Sequence, residues 1–492
     1  MREGKTGMEY YSTRDSALRR SASQAILQGI APDGGLFVPR EIPHVDLAEL
    51  IDLDYCTLAA KVLGLYLTDY SEEFLRAAAQ KAYGAGRFGD LPAKVVRLED
   101  GLFSMELWHG PTCAFKDYAL QLMPLLMTEA KRINGDTSKT AILVATSGDT
   151  GKAALEGYRD LDGIEIAVFY PDHGTSEMQR LQMATQEGKN VHVFAVQGNF
   201  DDAQTGVKKV FTDAAFAEAC ARGNKHLSSA NSINWGRLAP QIVYYFAGYF
   251  QLVHSGAVQL GEPVQFCVPT GNFGDILAGY YAKRMGLPVS RLLCASNRNK
   301  VLADFGSSGI YDADRPFYKT ASPSMDILVS SNLERLICHE SGDCGRTARL
   351  MQELAGQKRY AIDNELLEKI RAVFGFGYTD EETCFAEIRN TWEQDGYLAD
   401  PHTAVALSLA RQSNRAEGPC IVLSTASPYK FSGAVLAALG GAVQGDDFAD
   451  LHALEEMTGT QAPAVLRALR DKPVRFTQII APDEIRSAAE KL

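Results

Sequence analysis

The sequence lacks most of the marks of secreted, membrane and metal-binding proteins. Its nine cysteines are scattered from Cys56 to Cys420 without a C-x-x-C pair, so we expect neither a metal site nor a disulfide framework. The N-terminus has no apolar run typical of a signal peptide, and the longest apolar stretch, Ile242 to Phe250, is too short to span a bilayer. These absences favour a cytoplasmic protein with reduced thiols and no membrane partner.

Positive charge is also scarce. The chain has 49 Lys and Arg against 61 Asp and Glu, a formal net charge of −12, which argues against nucleic acid as a partner. A small anionic substrate stays compatible with this charge, because an acidic protein can contain a local cationic pocket. The 46% hydrophobic and 22% charged residues are ordinary for a folded protein. A chain of 492 residues exceeds one core, so we expect two or three domains.

Apolar segments alternate with helical patterns from residue 140 onward. Buried strands that alternate with helices indicate parallel pairing, so the pattern predicts an α/β protein with a ligand cleft between two α/β units. A helical N-terminal domain is expected over residues 1–100, a large α/β domain over 101–139 and 225–492, and a small α/β domain over 140–224. The predicted strands are 140–146, 164–170, 191–197, 264–269, 292–295 and 420–425, and the predicted helices include 150–159, 201–222, 238–254, 276–285 and 433–439.

A glycine-containing turn connects the strand ending at Pro269 to the next helix, and it reads Thr270-Gly271-Asn272-Phe273-Gly274-Asp275. Glycines let backbone N–H groups crowd around an anion, and a helix N-terminus adds a favourable dipole. The turn therefore predicts a phosphate site. Taken alone, it is equally compatible with an ordinary strand-to-helix turn.

A second turn, from Thr146 to Lys152, resembles a P-loop only in part. Thr146 stands where the first glycine is required, and Ala153 replaces the hydroxyl that would hold magnesium, so we do not expect an NTPase. Ser147 and Thr150 could still offer hydroxyls to a carboxylate or a phosphate.

A third segment, from Ser229 to Arg237, places amides, hydroxyls and an arginine before an apolar helix. Such residues often cap helices, which is the structural alternative, but the planar fork of Arg237 suits phosphate or carboxylate. Two further candidates are Lys116, at the start of a predicted helix, and Thr425, at the end of the late strand, where ligands of α/β sheets collect. On its own, Lys116 would be read as a solvated charge.

Together these segments resemble the threonine synthases, which are pyridoxal-phosphate enzymes of fold type II related to the tryptophan synthase β chain. The resemblance is to the fungal and enterobacterial branch and covers most of the chain. Its most specific parts are the segments 109–117, which reads HGPTCAFKD, and 271–275, which reads GNFGD; further matches are YYSTR at 10–14, PDGGL at 32–36 and STA at 424–426. The order of lysine, phosphate turn and pyridine contact is also that of fold type II.

The resemblance implies a role for each candidate. Lys116 corresponds to the catalytic lysine that binds the cofactor covalently, and Thr425 to the hydroxyl near the pyridine nitrogen. The cofactor-phosphate loop corresponds to Gly271, Asn272, Phe273, Gly274 and Asp275, and the groups that hold the substrate's phosphate or carboxylate to Ser147, Asp149, Thr150, Asn231, Ser232 and Arg237.

The reaction implied by the resemblance converts O-phospho-L-homoserine and water to L-threonine and phosphate. The sequence departs from the family at Asp15, where the family usually has Gly or Asn. It also departs at Ser427 and Tyr429, where the fungal and enterobacterial enzymes have His and Ala. The alternatives are a pyridoxal-phosphate-dependent threonine/serine dehydratase, a phospho-amino-acid lyase, or a non-catalytic ligand-binding homologue. A monomer is the expected state, with a dimer as the alternative.

Overall fold

The structure, a computed structural model, describes residues 7–84, 86–146, 148–172 and 175–492. Within these ranges, none of the helices combines the length and the apolar composition that crossing a membrane requires. The strands of the described part are β1 Tyr10–Ser12, β2 Arg19–Arg20, β3 Phe37–Pro39, β4 Lys94–Glu99, β5 Leu102–Glu106, β6 Lys139–Ala145, β7 Ile164–Pro171, β8 Val191–Val196, β9 Lys225–Ser228, β10 Val264–Pro269, β11 Val289–Ser296, β12 Ile310–Asp312, β13 Arg359–Ala361, β14 Phe374–Tyr378, β15 Cys420–Ser424 and β16 Ile479–Ile480.

Helices cover both sheets and form most of the N-terminal region. The α-helices of the described part are α1 Ala22–Gln28, α2 Tyr55–Tyr66, α3 Glu72–Tyr83, α4 Lys116–Leu120, α5 Met123–Ile133, α6 Asp149–Tyr158, α7 Glu177–Ala184, α8 Phe200–Thr212, α9 Ala214–Arg222, α10 Trp235–His254, α11 Gly274–Arg284, α12 Val301–Ser308, α13 Leu333–Ser341, α14 Cys344–Gln357, α15 Asn364–Val373, α16 Glu381–Asp395, α17 Pro401–Arg411, α18 Ser432–Ala438, α19 Asp447–Thr458, α20 Ala464–Arg467 and α21 Ile485–Glu490. Short 3-10 helices include Pro323–Met325 and Pro428–Phe431.

The N-terminal region contains an antiparallel sheet, in the order β2-β1-β3, beside helices α1 to α3. The sequence predicted only its helices, because strands of two or three residues leave no periodic pattern. Helices α2 and α3 are each capped by a side chain. Asp54 accepts from the backbone of Cys56 and Thr57 at the start of α2, and Ser71 accepts from the N–H of Phe74 at the start of α3.

The larger sheet has six strands in the order β14-β11-β10-β15-β5-β4. All neighbours pair in parallel except β4, which runs antiparallel to β5 at the edge. Helix α10 packs beside this sheet and is buried over almost its whole length, which explains its apolar character on every side. The predicted strands Val264–Pro269 and 420–425 are confirmed to within one residue, and the predicted strand 292–295 covers only the second half of β11. The strands β4, β5 and β14 were missed.

The smaller sheet has five parallel strands in the order β16-β8-β7-β6-β9. Its central strands were predicted, whereas β9 and β16 were not. The prediction of one long helix from 201 to 222 is wrong. Asp213 has an extended backbone and accepts a hydrogen bond from the N–H of Phe216, so it ends α8 and caps the start of α9.

Three short strands pair across the expected domain boundaries. β4 falls in the predicted N-terminal domain but joins the larger sheet, whereas β9 and β16 fall in the predicted large domain but join the smaller sheet. β16 adds the C-terminal segment to the smaller unit through its pairing with β8. Partners that are distant in the sequence complete these strands, so no local pattern reveals them.

Candidate active site

The predicted cofactor residues meet at one edge of the larger sheet. Lys116 lies beyond the end of β5, Thr425 directly follows β15, and Gly271 follows β10 after one residue. These strands are neighbours in the order β10-β15-β5 and run in parallel, so their carboxyl ends share an edge. The N–H of Phe115 donates to the carbonyl of Thr425 at 2.8 Å, which joins the lysine segment to the end of β15.

The predicted substrate residues lie at the matching edge of the smaller sheet. The 146–150 turn follows β6 and the 229–232 segment follows β9, and these parallel strands are neighbours. Ser147 lies outside the described residues. The two edges meet where Lys116 Nζ lies 3.5 Å from Asp149 Oδ2. We call these the cofactor edge and the substrate edge.

Lys116 begins a short helix whose start is fixed by its neighbour Asp117. The buried Asp117 carboxylate accepts from the N–H and the hydroxyl of Thr112 at 2.8 and 2.7 Å. A Cβ at Gly110 would lie 2.4 Å from Asp117 Oδ2, so glycine is required there. Cys113 adopts a φ of 58°, which turns the chain between these residues. Backbone geometry thereby directs Lys116 into the site.

The Lys116 side chain is 11% exposed, and its amine has two oxygen neighbours among the described residues. Its Nζ donates to Ser324 Oγ at 3.1 Å and lies 3.5 Å from Asp149 Oδ2. Burial lowers the pKa of Lys116, the cations of Lys430 and Arg237 lower it further, and Asp149 opposes them. A lysine with a lowered pKa supplies more neutral amine at neutral pH, as a nucleophile or proton carrier needs.

Asp149 is the carboxylate on which the two edges converge. Its Oδ1 lies 2.6 Å from Lys430 Nζ and accepts from Gln179 Nε2 at 3.1 Å. Burial alone would raise the pKa of Asp149, but the ammonium groups of Lys430 and Lys116 outweigh it and hold that pKa far below its usual range. Asp149 therefore stays ionised and pairs with two lysines.

Lys430 directly follows Tyr429 and is a site residue that the sequence patterns did not predict. It is fully buried, and its Nζ also donates to the carbonyl of Thr112 at 3.1 Å. A buried lysine requires a charged partner. That partner, Asp149, is far away in the sequence, so no local pattern could have identified the pair.

The 271–275 turn has the backbone of an anion site. Phe273 has a φ of 62°, and α11 begins at Gly274, so the first N–H groups of that helix have no acceptor within it. A Cβ at Gly271 would lie 2.7 Å from the carbonyl oxygen of Ser324, which requires glycine. Ser330 Oγ and the N–H of Asn332 donate to the carbonyls of Gly271 and Asn272 at 2.8 and 3.1 Å.

The side chain of Asp275 is directed to two tyrosines. Its Oδ1 accepts from the hydroxyls of Tyr244 and Tyr245, and its buried Oδ2 has no hydrogen-bond partner among the described residues. Burial raises the pKa of Asp275 to about 7, although both tyrosines and Lys116 lower it. A carboxyl group that is partly neutral at pH 7 is compatible with a neighbouring phosphate, whereas a fixed carboxylate would repel it.

Arg237 is a buried cation with donor capacity to spare. One Nη donates to the carbonyl of Ala230, whereas its buried Nε lacks a partner among the described residues. Burial lowers the pKa of Arg237 to about 10. The capping alternative holds for Asn234, which accepts from the N–H of Gly236 at 2.8 Å at the start of α10. It does not account for Arg237.

Thr150, Asn231 and Ser232 are half-buried, so their side chains are accessible at the substrate edge. The N–H of Asn231 donates to Ser229 Oγ at 3.2 Å, and the carbonyl of Ser232 accepts from Asn332 Nδ2 at 3.2 Å. These bonds use backbone groups. The side chains of Asn231 and Ser232 are thereby positioned by their backbone.

Ser427 and Tyr429, the two departures from the family pattern after Thr425, have different environments. The hydroxyl of Tyr429 bonds Thr460 Oγ1 at 2.6 Å, so this side chain ties the motif to the C-terminal region. Ser427 Oγ is buried without a partner among the described residues, and the backbone N–H of Ser427 donates to the carbonyl of Cys113 at 3.1 Å. Tyr429 is therefore explained by packing.

The residues at the two edges fit pyridoxal phosphate. Its aldehyde requires a neutral amine, which Lys116 supplies; its phosphate requires N–H donors, which the 271–275 turn presents; and its pyridine nitrogen suits the Thr425 hydroxyl. Buried polar atoms without partners, namely Asp275 Oδ2, Arg237 Nε and Ser427 Oγ, occur around this position. Such atoms are rare in folded proteins, and a bound group is one way in which their hydrogen bonding is completed.

Comparison with known proteins gives the class. Residues 91–425 match the family model described as pyridoxal-phosphate dependent enzyme. The chain therefore belongs to the pyridoxal-phosphate-dependent enzymes, with the fold of type II that the sequence predicted.

Two further models give the family. Residues 9–83 match the threonine synthase N terminus, and residues 403–487 match the threonine synthase C-terminal region. The chain is 40% identical to threonine synthase of Pseudomonas aeruginosa over 87% of this chain and 90% of that protein. A PLP-bound threonine synthase structure from Brucella melitensis superposes with a TM-score of 0.88 at 37% identity, over 99% of this chain and 98% of that chain. The chain belongs to the threonine synthase family.

A second group of relatives is longer than this chain. Human threonine synthase-like 1 is 40% identical over 85% of this chain, but the match covers only 58% of that protein. The chain thus spans little more than half the length of these relatives.

Proposed function

We propose that the chain converts O-phospho-L-homoserine and water to L-threonine and phosphate. The observation that carries this proposal is the group of three cationic side chains where the two edges meet. Lys116 and Lys430 contact the ionised carboxylate of Asp149, and the buried guanidinium of Arg237 is close enough to Lys116 to lower its pKa. A substrate with both a phosphate and a carboxylate would balance these cations. Membership of the threonine synthase family supports the same reaction.

Pyridoxal phosphate, when bound, supplies the electron sink for this chemistry. The N–H groups of the 271–275 turn would hold the cofactor phosphate, and the hydroxyl of Thr425 would hold the pyridine end of the cofactor. Lys116 binds the cofactor covalently and, once released, moves protons at Cα and Cβ of the substrate while phosphate leaves Cγ. Its lowered pKa lets the amine both accept and return a proton at neutral pH. Water then adds at Cβ.

The substrate groups divide between the two strand ends of the substrate edge. Asp149 and Thr150 begin α6, and Ser147 precedes them in the sequence; Asn231 and Ser232 follow β9, and Arg237 lies in the first turn of α10. We assign Arg237 to an anionic group of the substrate, because its buried guanidinium has an unpartnered Nε. Asp149 orients the lysines Lys116 and Lys430, and the hydroxyl and amide side chains complete the hydrogen bonding.

The same proposal includes a three-domain division, a monomer and a cytoplasmic location. The division keeps the N-terminal domain and the two α/β domains, with β4 assigned to the larger α/β domain and β9 and β16 to the smaller one. Seven of the nine cysteines are buried and none forms a disulfide, which suits a reducing compartment. Sedimentation of the purified chain tests the monomer.

Product analysis tests the reaction. Purified protein with pyridoxal phosphate and O-phospho-L-homoserine is expected to release threonine and phosphate in equal amounts. Release of 2-oxobutyrate and phosphate would instead identify a lyase, and deamination of threonine or serine a dehydratase. Absence of any product, together with failure to bind the cofactor covalently, would indicate a non-catalytic homologue.

A further inference from the structure

The hydroxyl that contacts the Lys116 amine comes from a segment in which the sequence indicated no candidate site residue. Ser324 lies in the 3-10 helix Pro323–Met325, on the chain between α12 and α13. Its Oγ accepts from Lys116 Nζ at 3.1 Å and donates to Asp149 Oδ2 at 3.4 Å. Ser324 thus bridges the lysine and the carboxylate that joins the two edges.

The backbone of this turn is fixed by a buried histidine. The N–H of Ser324 donates to His402 Nε2 at 3.1 Å. His402 is 2% exposed, and its ring packs against Phe431. Because Nε2 accepts from a backbone N–H, it carries no proton in this arrangement, and the proton of the neutral ring lies on Nδ1.

A buried aspartate selects that tautomer. Asp400 is 0% exposed, and its Oδ1 lies 2.7 Å from His402 Nδ1 and accepts the proton on it. The same carboxylate caps α17 by accepting from the N–H groups of His402 and Thr403 at 2.9 and 3.3 Å. Asp400 therefore fixes the imidazole in the one orientation that accepts from Ser324.

The turn also contacts the cofactor-phosphate loop. A Cβ at Gly271 would lie 2.7 Å from the Ser324 carbonyl oxygen, so the two backbones are in close contact. Asp326, at the end of the turn, accepts from Asn297 Nδ2 and Asn299 Nδ2 at 2.8 and 2.9 Å, which anchors the segment to the end of β11. A shift of this turn would move Ser324 Oγ away from the amine.

We propose that Ser324 orients the amine of Lys116 for its reactions and that the Asp400–His402 pair positions Ser324. Ser324 contacts the reacting amine, whereas His402 and Asp400 act through Ser324. The inference rests on the proposed role of Lys116 but not on the identity of the substrate.

Variants of Ser324 and His402 test this proposal in the cofactor-loaded chain. Ser324→Ala is expected to lower kcat by roughly 10- to 100-fold with KM nearly constant, since misplacing a reacting group by about 1 Å costs on this order. His402→Leu removes the acceptor and is expected to have a similar effect. His402→Gln retains an amide oxygen that can accept from the Ser324 N–H and should restore most of the rate.

The rate of cofactor capture provides a readout that does not depend on turnover. When pyridoxal phosphate is added to the cofactor-free chain, visible absorbance should develop about tenfold more slowly in Ser324→Ala and His402→Leu, in line with a misplaced amine. Lys116→Ala should develop none. If the proposed reaction is wrong, capture is still expected to slow, so the two failures are distinguishable.

A double variant separates positioning from general stability. If His402 acts through Ser324, adding His402→Leu to Ser324→Ala should lower kcat and the capture rate little further, whereas its effect on Tm should be unchanged. Equal kinetic effects in both backgrounds would make His402 merely structural and overturn its role. A Ser324→Ala chain whose capture rate and kcat stay within about twofold of the parent would overturn the proposal.

The chain contains a matched control for Asp400. Asp54 caps α2 as Asp400 caps α17, and it also accepts from two backbone N–H groups and a threonine hydroxyl, but it contacts no histidine within the part of the chain that the structure describes. Asp400→Asn should slow cofactor capture, because an amide does not select the tautomer of His402, whereas Asp54→Asn should not. Equal capture rates in the two variants would contradict the role of Asp400.

Discussion

The cofactor edge and the substrate edge each contain a buried aspartate, and the pKa values of the two carboxyl groups are shifted in opposite directions. Asp275, at the cofactor edge, lies beside two tyrosine hydroxyls, and burial raises its pKa to about 7. At the substrate edge, burial alone would also raise the pKa of Asp149, but Lys430 and Lys116 hold that pKa far below the usual range. Both carboxyl groups are buried, so the neighbouring ammonium groups determine the direction in which each pKa is shifted.

The two edges can also be compared by how their segments are connected and how far their side chains are buried. Backbone bonds such as that from Phe115 to Thr425 connect the segments of the cofactor edge. At the substrate edge, Thr150, Asn231 and Ser232 are only half-buried. In the proposed function, the cofactor edge holds one bound group, and the polar groups of the substrate edge bind a ligand that enters and leaves.

The largest expected effect comes from the residue that joins both edges. Lys116→Ala should lower kcat by roughly 10⁴-fold or more, because one amine both binds the cofactor and transfers protons. Steady-state assays of threonine release measure this. Lys61→Ala, at an exposed position of α2, is the control and should leave turnover unchanged. Appreciable residual threonine formation in Lys116→Ala would contradict the assignment.

Arg237 tests whether the substrate edge binds an anion. Arg237→Ala should raise KM for O-phospho-L-homoserine by roughly 10- to 100-fold, since a hydrogen bond to a charged group contributes about 1.5–3 kcal/mol. The matched control is Arg222→Ala, at an exposed position of α9. A variant that loses thermal stability but keeps its KM would assign Arg237 to structure alone.

The two aspartates should respond to pH in opposite ways. Asp149 has a depressed folded pKa, so its contribution to stability is present above about pH 4 and is lost as the pH falls. Asp149→Asn removes the partner of buried Lys430 and should cost about 3–5 kcal/mol near pH 7, with a smaller difference in acid.

Asp275 has a raised folded pKa, so its contribution is fully present below about pH 4 and is lost as the pH rises toward about 7. Relative to the parent, Asp275→Asn should therefore gain stability between these values, by about 1.4 kcal/mol for each unit of pKa difference. Urea unfolding from pH 2 to 8 covers both ranges and measures both variants. Parallel profiles would contradict the comparison.

The smallest expected effect concerns a departure from the family pattern outside both edges. Tyr429→Phe removes the hydrogen bond to Thr460 and should cost about 1 kcal/mol of stability with kcat unchanged. Thermal unfolding and a standard assay measure the two quantities. A large fall in kcat would place Tyr429 in the catalytic site.

The sequence predicted the cofactor edge better than the substrate edge or the residues behind both. Lys116 and the 271–275 turn occur in contiguous motifs, and long apolar runs identify the central strands. Ser324 and His402 have no such signal, because the contacts that define them join residues about 80 to 200 positions apart. The pair Asp400-Pro401 predicts only the start of a helix. The pairing of the Asp400 carboxylate with His402 depends on burial, which the sequence does not show.

Borohydride reduction followed by peptide mapping tests the central claim most directly. Sodium borohydride is added to the cofactor-loaded chain, the chain is digested, and the peptide that carries the reduced cofactor is sequenced by mass spectrometry. The expected result is a single modified residue, Lys116, in the segment 109–117. Modification of another lysine, Lys430 included, or of none would contradict the assignment of the cofactor edge.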